Sequence, residues 1–376
     1  MRLLRRIGGR IESESAVSSD AGGHRAGAGH STAPPCSEAA LVEAPGASSR
    51  SVQRAGVVTG GGAVSRPLGV KSLDSPGAAL LDHRMSILLS TPDVDGLEAV
   101  VRALAEWQYE GAPLQLHSGD IGWYWQFGPE RTAEAVRTWS RRGRILGVGL
   151  LDGPDLVRLA IDPKEREDEA LARRMAEDLT RPDRGVLPAG EGSVEALWKG
   201  RFREVLREEG WEPDDPWVPM IRDLSEPVEA CGLRIEVAGP ERVEDRVAVH
   251  RGAFTGSKFS AARWRAVAAG PVYADARCLI GYDDRGDAVA GTTVWSAGPG
   301  RIGMLEPLGV HGDHQGRGHG RAIAVAAAAA LRDMGASSAT VCAEGSNTAA
   351  VATYRAAGFL PRPAVPDLRR IGRQPG

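Results

Sequence analysis

Apolar and polar positions alternate most regularly in the C-terminal part of the chain. Apolar runs of strand length are predicted to form strands over 233–237, 278–282, 288–295, 304–310 and 338–343. Between them, helices are predicted over 240–253, 260–269 and 322–334, and a further helix carries Tyr354. Short strands interleaved with helices are typical of a mixed α/β domain.

The middle of the chain, about 86–225, repeats part of this pattern. It predicts a helix and then a two-stranded hairpin, over 94–107, 144–151 and 155–161. Ile161 matches Val310 at a shift of 149 residues, and 206–211 matches 354–359 at a shift of 148. Two landmarks at nearly the same offset indicate an internal duplication. The alternative is an unrelated α/β domain whose matches arise by chance.

The first 84 residues differ from the rest because they contain no Trp, Tyr or Phe and are dominated by Gly, Ser and Ala. Such a segment cannot bury enough apolar area to offset its ordering entropy. Its basic start has no sustained apolar core, so no signal peptide is predicted. We therefore expect a disordered extension or start-site artefact at 1–84, followed by domains at 85–228 and 229–376.

Composition excludes several classes of function. A net charge of −3 gives no reason to expect nucleic-acid binding, and no apolar run approaches the ~18 residues that a membrane span needs. The four cysteines are scattered, which favours buried single thiols in a cytoplasmic protein, and no metal site is predicted. With 48 glycines and only four lysines among 46 basic residues, the chain suggests a GC-rich, actinobacterial type of gene.

The most informative stretch is a glycine-rich turn that follows the 304–310 run and opens an Ala-rich helix. It comprises Gln315, Gly316, Arg317, Gly318, His319, Gly320 and Arg321. Such a turn gathers unpaired backbone N–H groups at the positive end of a helix dipole, which favours phosphate oxygens. Glycine allows close approach of the anion and positive φ. A plain surface turn is the alternative on this loop alone.

A second motif follows within forty residues. Asn347, Ala350, Tyr354, Gly358 and Phe359 form N-x-x-A-x-x-x-Y-x-x-x-G-F. The spacing predicts a helix that carries one tyrosine, ends at a glycine C-cap and leads into an apolar strand.

The two motifs, in this order and spacing, resemble the GNAT superfamily of acyl-CoA-dependent N-acetyltransferases over roughly 233–376. The resemblance implies an α/β (α+β) fold of two GNAT-like domains, each a mixed, mostly antiparallel twisted sheet flanked by helices. It implies that acetyl-CoA is the donor substrate and that no metal is needed. The implied donor-binding residues are Val310, Gln315, Gly316, Arg317, Gly318, His319, Gly320, Arg321 and Asn347. One departure is Gly312, where the family often has proline.

The resemblance also suggests catalytic residues. Tyr354 matches the tyrosine proposed to protonate the leaving CoA thiolate. Glu306 is the best candidate for the general base, because many members place a glutamate on this strand and period-two alternation would put it on one face with Val310. A strand-end carboxylate bound to a neighbouring Arg or to backbone is the alternative. Pro307 suggests a bulge that admits the thioester, and Glu344 is a weaker base candidate.

The middle copy has lost this chemistry. Where the glycine loop should lie, residues 166–171 bring three carboxylates and no glycine, and Leu206 replaces the tyrosine. We therefore expect a GNAT-like fold that does not bind acyl-CoA. Aromatic residues within 117–125 favour packing, with partial lining of the acceptor cleft as the alternative.

The sequence thus predicts a tandem GNAT-like enzyme, monomeric or homodimeric, that acetylates an amine of a small molecule or peptide by direct attack. Its layout is similar to that of the mycothiol synthases, so acetylation of a cysteinyl pseudodisaccharide is an alternative. A non-catalytic acyl-CoA sensor is a second alternative.

The carboxylates of Glu167, Asp168 and Glu169 would repel a pyrophosphate in the middle copy. Calorimetric titration of the full chain should therefore give one acetyl-CoA per polypeptide. Two sites of equal affinity would contradict the prediction that the middle copy has lost donor binding.

Overall fold

The protein is described by a computed structural model that covers residues 86–372. The extension predicted at 1–84 and Cys36 lie outside the described residues. All described residues belong to one compact unit. We call 86–228 the middle half and 229–372 the C-terminal half.

Within the described residues the chain forms thirteen strands. They are β1 Leu88–Ser90, β2 Val136–Arg141, β3 Arg144–Leu151, β4 Leu156–Ile161, β5 Gly192–Glu195, β6 Glu212–Asp223, β7 Arg234–Val237, β8 Ala276–Tyr282, β9 Ala288–Trp295, β10 Ile302–Val310, β11 Ser338–Glu344, β12 Leu360–Pro361 and β13 Val365–Arg370.

Nine α-helices flank these strands in the described part of the chain. They are α1 Leu97–Glu106, α2 Ser118–Tyr124, α3 Pro129–Ala135, α4 Glu169–Thr180, α5 Arg201–Glu208, α6 Val243–Ala253, α7 Ala261–Ala269, α8 His319–Asp333 and α9 Thr348–Ala356. None of the described helices is both long enough and apolar enough to cross a bilayer. The predicted mixed α/β architecture, a large sheet flanked by helices, is confirmed.

All the strands join one sheet in the order β1-β2-β3-β4-β5-β13-β6-β11-β10-β9-β8-β7, with β12 pairing β6. The two halves exchange their last strands. The last strand of the middle half, β6, pairs with β11 of the C-terminal half, and β13 pairs in turn with β5 of the middle half. Only β13 and β6 separate β5 from β11, which places these two strands about 14 Å apart.

Strand register agrees with the internal duplication. Trp217 lies opposite Val365 in the antiparallel β6–β13 pair, and the two positions are related by the 148-residue shift. Each half also contains one parallel pair, β4 with β5 and β10 with β11, and each pair is hydrogen-bonded over three residues. The topology is therefore what two copies related by an approximate twofold axis would give.

The helix α8 packs against the C-terminal half of the sheet through its alanine face. Its small side chains and Leu331 are fully buried with Leu305 and Phe359 in one apolar core. A Cβ at Gly303 would lie 2.5 Å from a Leu331 methyl, so glycine lets α8 approach β10 closely. The helix begins at His319, three residues before the predicted start, because its first turn includes the end of the glycine loop.

A second core joins the two halves. Trp123 of α2 stacks on Phe259 with ring centroids 5.2 Å apart, and it is buried with residues of α6 and α7. Gly119 and Gly122, also on α2, face the Trp295 indole so closely that a Cβ at either would meet it at 2.4 Å. The packing role expected for the aromatic segment is confirmed for Trp123, which is buried where the two halves meet.

Candidate active site

The site is organised by the separation of β10 from β11. The two strands are paired only from Ile302 to Met304, opposite Ser338 to Thr340. The register of β10 against β9 then shifts between Leu305 and Leu308. Proline lacks the N–H that a regular ladder requires, so Pro307 lies where such an irregularity is tolerated. The predicted bulge is confirmed, and beyond it the edge of β10 that faces β11 is open.

The same bulge changes which side chains of β10 share a face. Leu305, Leu308 and Val310 lie opposite Val294, Thr292 and Ala290 of β9, which all share one face. The extra residue at the bulge therefore breaks the period of two between Glu306 and Val310. The expectation that these two side chains share a face by simple alternation was wrong, because it assumed a regular strand.

The glycine loop adopts the conformation that its sequence requires. Gly316 and Gly318 have φ of 76° and 85°, in the left-handed region that glycine enters without a Cβ penalty. Gly318 is the N-cap of α8 and provides no side chain to cap it. The N–H groups of the first helical turn have no partners inside the helix, so they are available to an anion at the positive end of the dipole.

Gly320 brings the loop against the end of β10. A Cβ at this position would lie 3.0 Å from the Thr353 methyl and 3.6 Å from a Val310 methyl. Gln315 completes the contact, because its side-chain nitrogen donates to the Val310 carbonyl at 3.3 Å. The predicted loop residues and the strand end therefore meet, next to the helix that carries Tyr354.

The charged residues of the loop differ in their surroundings. Arg321 donates to the Ala356 carbonyl at 2.9 Å and lies 3.5 Å from Glu229, so it ties α8 to the end of α9. Burial lowers the pKa of His319, and the nearby His314 adds to this effect. A neutral imidazole at the loop is the result.

Asn347 caps the second motif helix. Its side-chain oxygen accepts from the Ala350 N–H at 3.1 Å, which satisfies one free donor at the start of α9. The geometry gives this residue a structural role besides the donor-binding role that the resemblance implies. Within the described residues, no group of three or more His, Cys, Asp or Glu side chains is arranged to hold a metal ion.

Tyr354 and Glu306 are electrostatic neighbours. The phenol is buried against Phe359, with ring centroids 5.9 Å apart. Burial raises the pKa of Tyr354, and the charge of Glu306 raises it further. The charge of Glu306, on the bulge of β10, therefore acts on the tyrosine of α9.

The Glu306 side chain is partly exposed to solvent, although protein atoms are densely packed around it. Desolvation raises the pKa of Glu306 to about 8. Arg158 opposes this shift, whereas Asp120, Glu195 and Asp152 reinforce it. The Glu306 backbone carbonyl accepts from the Trp295 indole N–H at 2.7 Å, which fixes the strand at the bulge.

The charged groups that surround Glu306 come from the middle half, and sequence analysis missed their role. Arg158 on β4 lies 2.8 Å from Asp120, 3.0 Å from Glu195 and 3.8 Å from Asp152. These four positions span 76 residues and share no motif. Only the exchange of β6 and β13 brings them near the C-terminal half, and no periodicity in the sequence signals that exchange.

Cys342, on β11, was assigned only as one of four scattered thiols. It is a free cysteine at the opening between β10 and β11. Burial raises its pKa well above the usual range, and Glu195 and Glu306 reinforce the effect. The thiol therefore stays protonated. The three cysteines in the described residues are free; Cys278 is buried as predicted, whereas Cys231 and Cys342 are partly exposed.

Residues 253–359 match the model of the acetyltransferase (GNAT) family. The match lies within the C-terminal half. It supports an acyltransferase, and the family uses acyl-CoA as its cosubstrate. A comparison with curated proteins found no match.

Solved structures of GNAT proteins are similar to the chain at low sequence identity. A GCN5-related N-acetyltransferase from Sphaerobacter thermophilus is 17% identical, with a TM-score of 0.48, over 77% of this chain and 96% of that one. A tandem GNAT protein from the clavulanic acid biosynthesis pathway is 15% identical, with a TM-score of 0.48, over 77% and 100%. A GNAT-family acetyltransferase from Colwellia psychrerythraea is 13% identical, with a TM-score of 0.49, over 76% and 98%.

The position in the middle half that corresponds to the GNAT loop is closed. Asp168 accepts from the Leu171 N–H at 2.9 Å, so its carboxylate caps α4. The Arg166 carbonyl accepts from the Arg201 N–H at 3.1 Å and would lie 2.8 Å from a Cβ at Gly200. Loop 166–168 therefore packs against the start of α5 in place of an open anion site.

Replacing Gly318 with valine tests the GNAT loop. A β-branched residue at φ of 85° is strained, and its side chain would enter the space above the helix N-terminus. Acetyl-CoA affinity should fall tenfold or more, equivalent to about 1.4 kcal/mol or more. Calorimetric titration of the folded variant measures the loss.

The matched control is Gly210→Val, because Gly210 has φ of 87° at the end of α5 in the middle half. It introduces a comparable backbone strain away from the loop, and its affinity for acetyl-CoA should equal that of the unmodified protein. Equal affinities for the two variants, whether both normal or both reduced, would remove the loop from the donor site.

Proposed function

We propose that the protein transfers an acetyl group from acetyl-CoA to an amine of a small molecule or peptide by direct attack. The observation that carries this proposal is the opening between β10 and β11 beside the glycine loop, with Glu306 on the bulge of β10 and Tyr354 on the adjoining helix α9. One group is suited to accept a proton from the attacking amine, and the other is suited to supply one to the departing sulfur.

The loop and the strand edge support the choice of a CoA thioester as donor. The start of α8 offers N–H groups and a positive dipole end to a pyrophosphate. The edge of β10 beyond Met304, which β11 leaves open, offers backbone groups to the amides of a pantetheine arm. Both surfaces meet at Val310, where Gln315 and Gly320 contact the strand.

The charge of the groups around Glu306 supports an amine as acceptor. Asp120, Asp152, Glu195 and Glu306 outnumber Arg158, so the local field favours a cation. An amine in its ammonium form is attracted to such a centre but cannot attack until it loses a proton. A carboxylate whose pKa is raised to about 8 is well matched to remove that proton near neutral pH.

In the proposed step, Glu306 accepts a proton from the bound ammonium, and the neutral amine nitrogen then attacks the thioester carbonyl. The N–C bond forms through a tetrahedral intermediate, and the C–S bond then breaks. The electron pair of that bond goes to sulfur, the Tyr354 hydroxyl donates a proton to the thiolate, and the tyrosinate takes the remaining proton from the new amide nitrogen. Because the pKa of Tyr354 is raised, its hydroxyl stays protonated across the working range.

The pH dependence of kcat/KM tests the base. Only ionised Glu306 accepts a proton, so activity should rise with pH and level off above about 8. Glu306→Gln should lower kcat by about 10²–10⁴-fold and remove this rise. The matched control is Glu344→Gln, which should keep both the rate and the profile. If Glu344→Gln changed the pH profile of kcat/KM and Glu306→Gln did not, the base would be Glu344 and not Glu306.

Tyr354→Phe tests the acid. The substitution keeps the ring packed against Phe359 but removes the hydroxyl, so turnover should fall, by up to about 10²–10⁴-fold, with acetyl-CoA affinity and melting temperature nearly unchanged. The fall will be smaller if water protonates the thiolate. Stopped-flow kinetics under conditions where chemistry limits the rate measure the effect. A variant as fast as the unmodified enzyme would leave the tyrosine only a packing role.

A further inference from the structure

The cluster around Arg158 is buried at the junction of the two halves. Side-chain exposure is 10% for Arg158, 2% for Asp120, 3% for Asp152 and 7% for Glu195. Burying four charged groups is costly unless they are paired, and here a single guanidinium serves three carboxylates. Such a centre is more than the packing of a degenerate domain requires.

Each member is held by the backbone of the middle half. Arg158 and Glu195 are the last opposed residues before β4 and β5 diverge. Asp120 lies in the first turn of α2 and accepts from the His117 N–H at 2.6 Å in a capping box. Because these elements are strands and a capped helix, the guanidinium has little freedom to move.

The same elements are attached to the strand that carries Glu306. His117 accepts from Gly119 through Nδ1, so its Nε2 carries the proton and donates to the Ile302 carbonyl of β10 at 3.2 Å. Helix α2 also packs on Trp295, which donates to the Glu306 carbonyl at 2.7 Å. A short series of direct contacts therefore connects the Arg158 cluster to the bulge of β10.

We propose that Arg158, with its carboxylate partners in the middle half, is a positioning residue for Glu306 in the active site of the C-terminal half. The inference rests on the proposed function, because it assigns a partner to the base named there. The middle half would then contribute to catalysis through its charge, although its own donor site is closed.

The groups that act on Glu306 come from every element packed around it. Arg158 favours the ionised carboxylate, whereas the carboxylates of α2, the loop after β3, and β5 disfavour it. Tyr354 of α9 and Cys342 of β11 also interact with the charge of Glu306. Loss of the Arg158 charge should therefore raise the pKa of Glu306, and loss of the Glu195 charge should lower it.

The test measures kcat/KM against pH in the full-length protein for Arg158→Met and Glu195→Gln. The quantity compared is the position of the acidic limb, the pH range in which activity rises as Glu306 ionises. The limb should move up by about one pH unit or more in Arg158→Met, so that activity at pH 7 falls about tenfold and recovers at high pH. It should move down in Glu195→Gln. Opposite shifts are the signature of charge, since general damage to the fold would lower activity at every pH.

Two matched variants act as controls. Arg158→Lys keeps the charge but not the planar guanidinium that contacts Asp120 and Glu195 at once, and its limb should stay near that of the unmodified enzyme. Arg141→Met removes another arginine of the middle half, one that pairs with Asp168 at 2.8 Å, and should not move the limb. The profile is measured with two acceptors whose amine pKa values differ widely. If the limb lies at the same pH with both, it reports an ionisation of the enzyme and not of the acceptor.

An unmoved limb in Arg158→Met, or shifts of the same sign in both variants, would overturn the proposal. If Arg158→Met does not fold, the Glu195→Gln variant alone tests the proposal. An acidic limb that stays in place or moves to higher pH in that variant would overturn the proposal. Failure of the proposed function is distinguishable, because Glu306→Gln would then leave the limb in place. A limb that disappears with Glu306→Gln yet ignores Arg158 refutes only this inference.

Discussion

The parting of β10 from β11 after Met304 is the constraint on which the site depends. A paired strand has no free backbone groups to offer a substrate, whereas the open edge of β10 does. The bulge between Leu305 and Leu308 permits the separation and changes the direction in which Glu306 points along the strand. The opening, the direction of Glu306 and the end of the strand at Val310 are therefore consequences of one irregularity.

Exchange of the last strands gives the middle half access to this opening. Since only β13 and β6 lie between β5 and β11, the polar groups at the two divergent strand pairs are close enough to influence one another. The charge of Glu195 on β5, for example, helps to raise the pKa of the Cys342 thiol on β11. A hydrogen bond from the Trp217 indole to Asp367, 3.1 Å long, joins the exchanged strands themselves.

Much of this architecture could be predicted from the sequence, because strands and helices follow from local periodicity. The helix predicted over 260–269 is α7, and Ser260 caps it by accepting from the Arg263 N–H. The hairpin of β3 and β4 and the strand β9 also lie where the pattern placed them. The alternation between Glu306 and Val310 failed because the pattern does not show that the bulge adds a residue. The Arg158 cluster could not be predicted at all, because its members are joined by strand exchange.

The two halves differ most in what they bury at equivalent positions. Leu206 of the middle half is fully buried in an apolar core, which costs no hydrogen bond, whereas Tyr354 buries a hydroxyl beside Glu306. The Arg158 cluster departs from this contrast, since it buries charge in the middle half, which also buries Asp178 and Arg203. Replacing a buried ion pair with apolar residues is often neutral or stabilising. Stability alone therefore does not account for the cluster, whereas a contribution to the chemistry of the neighbouring half does.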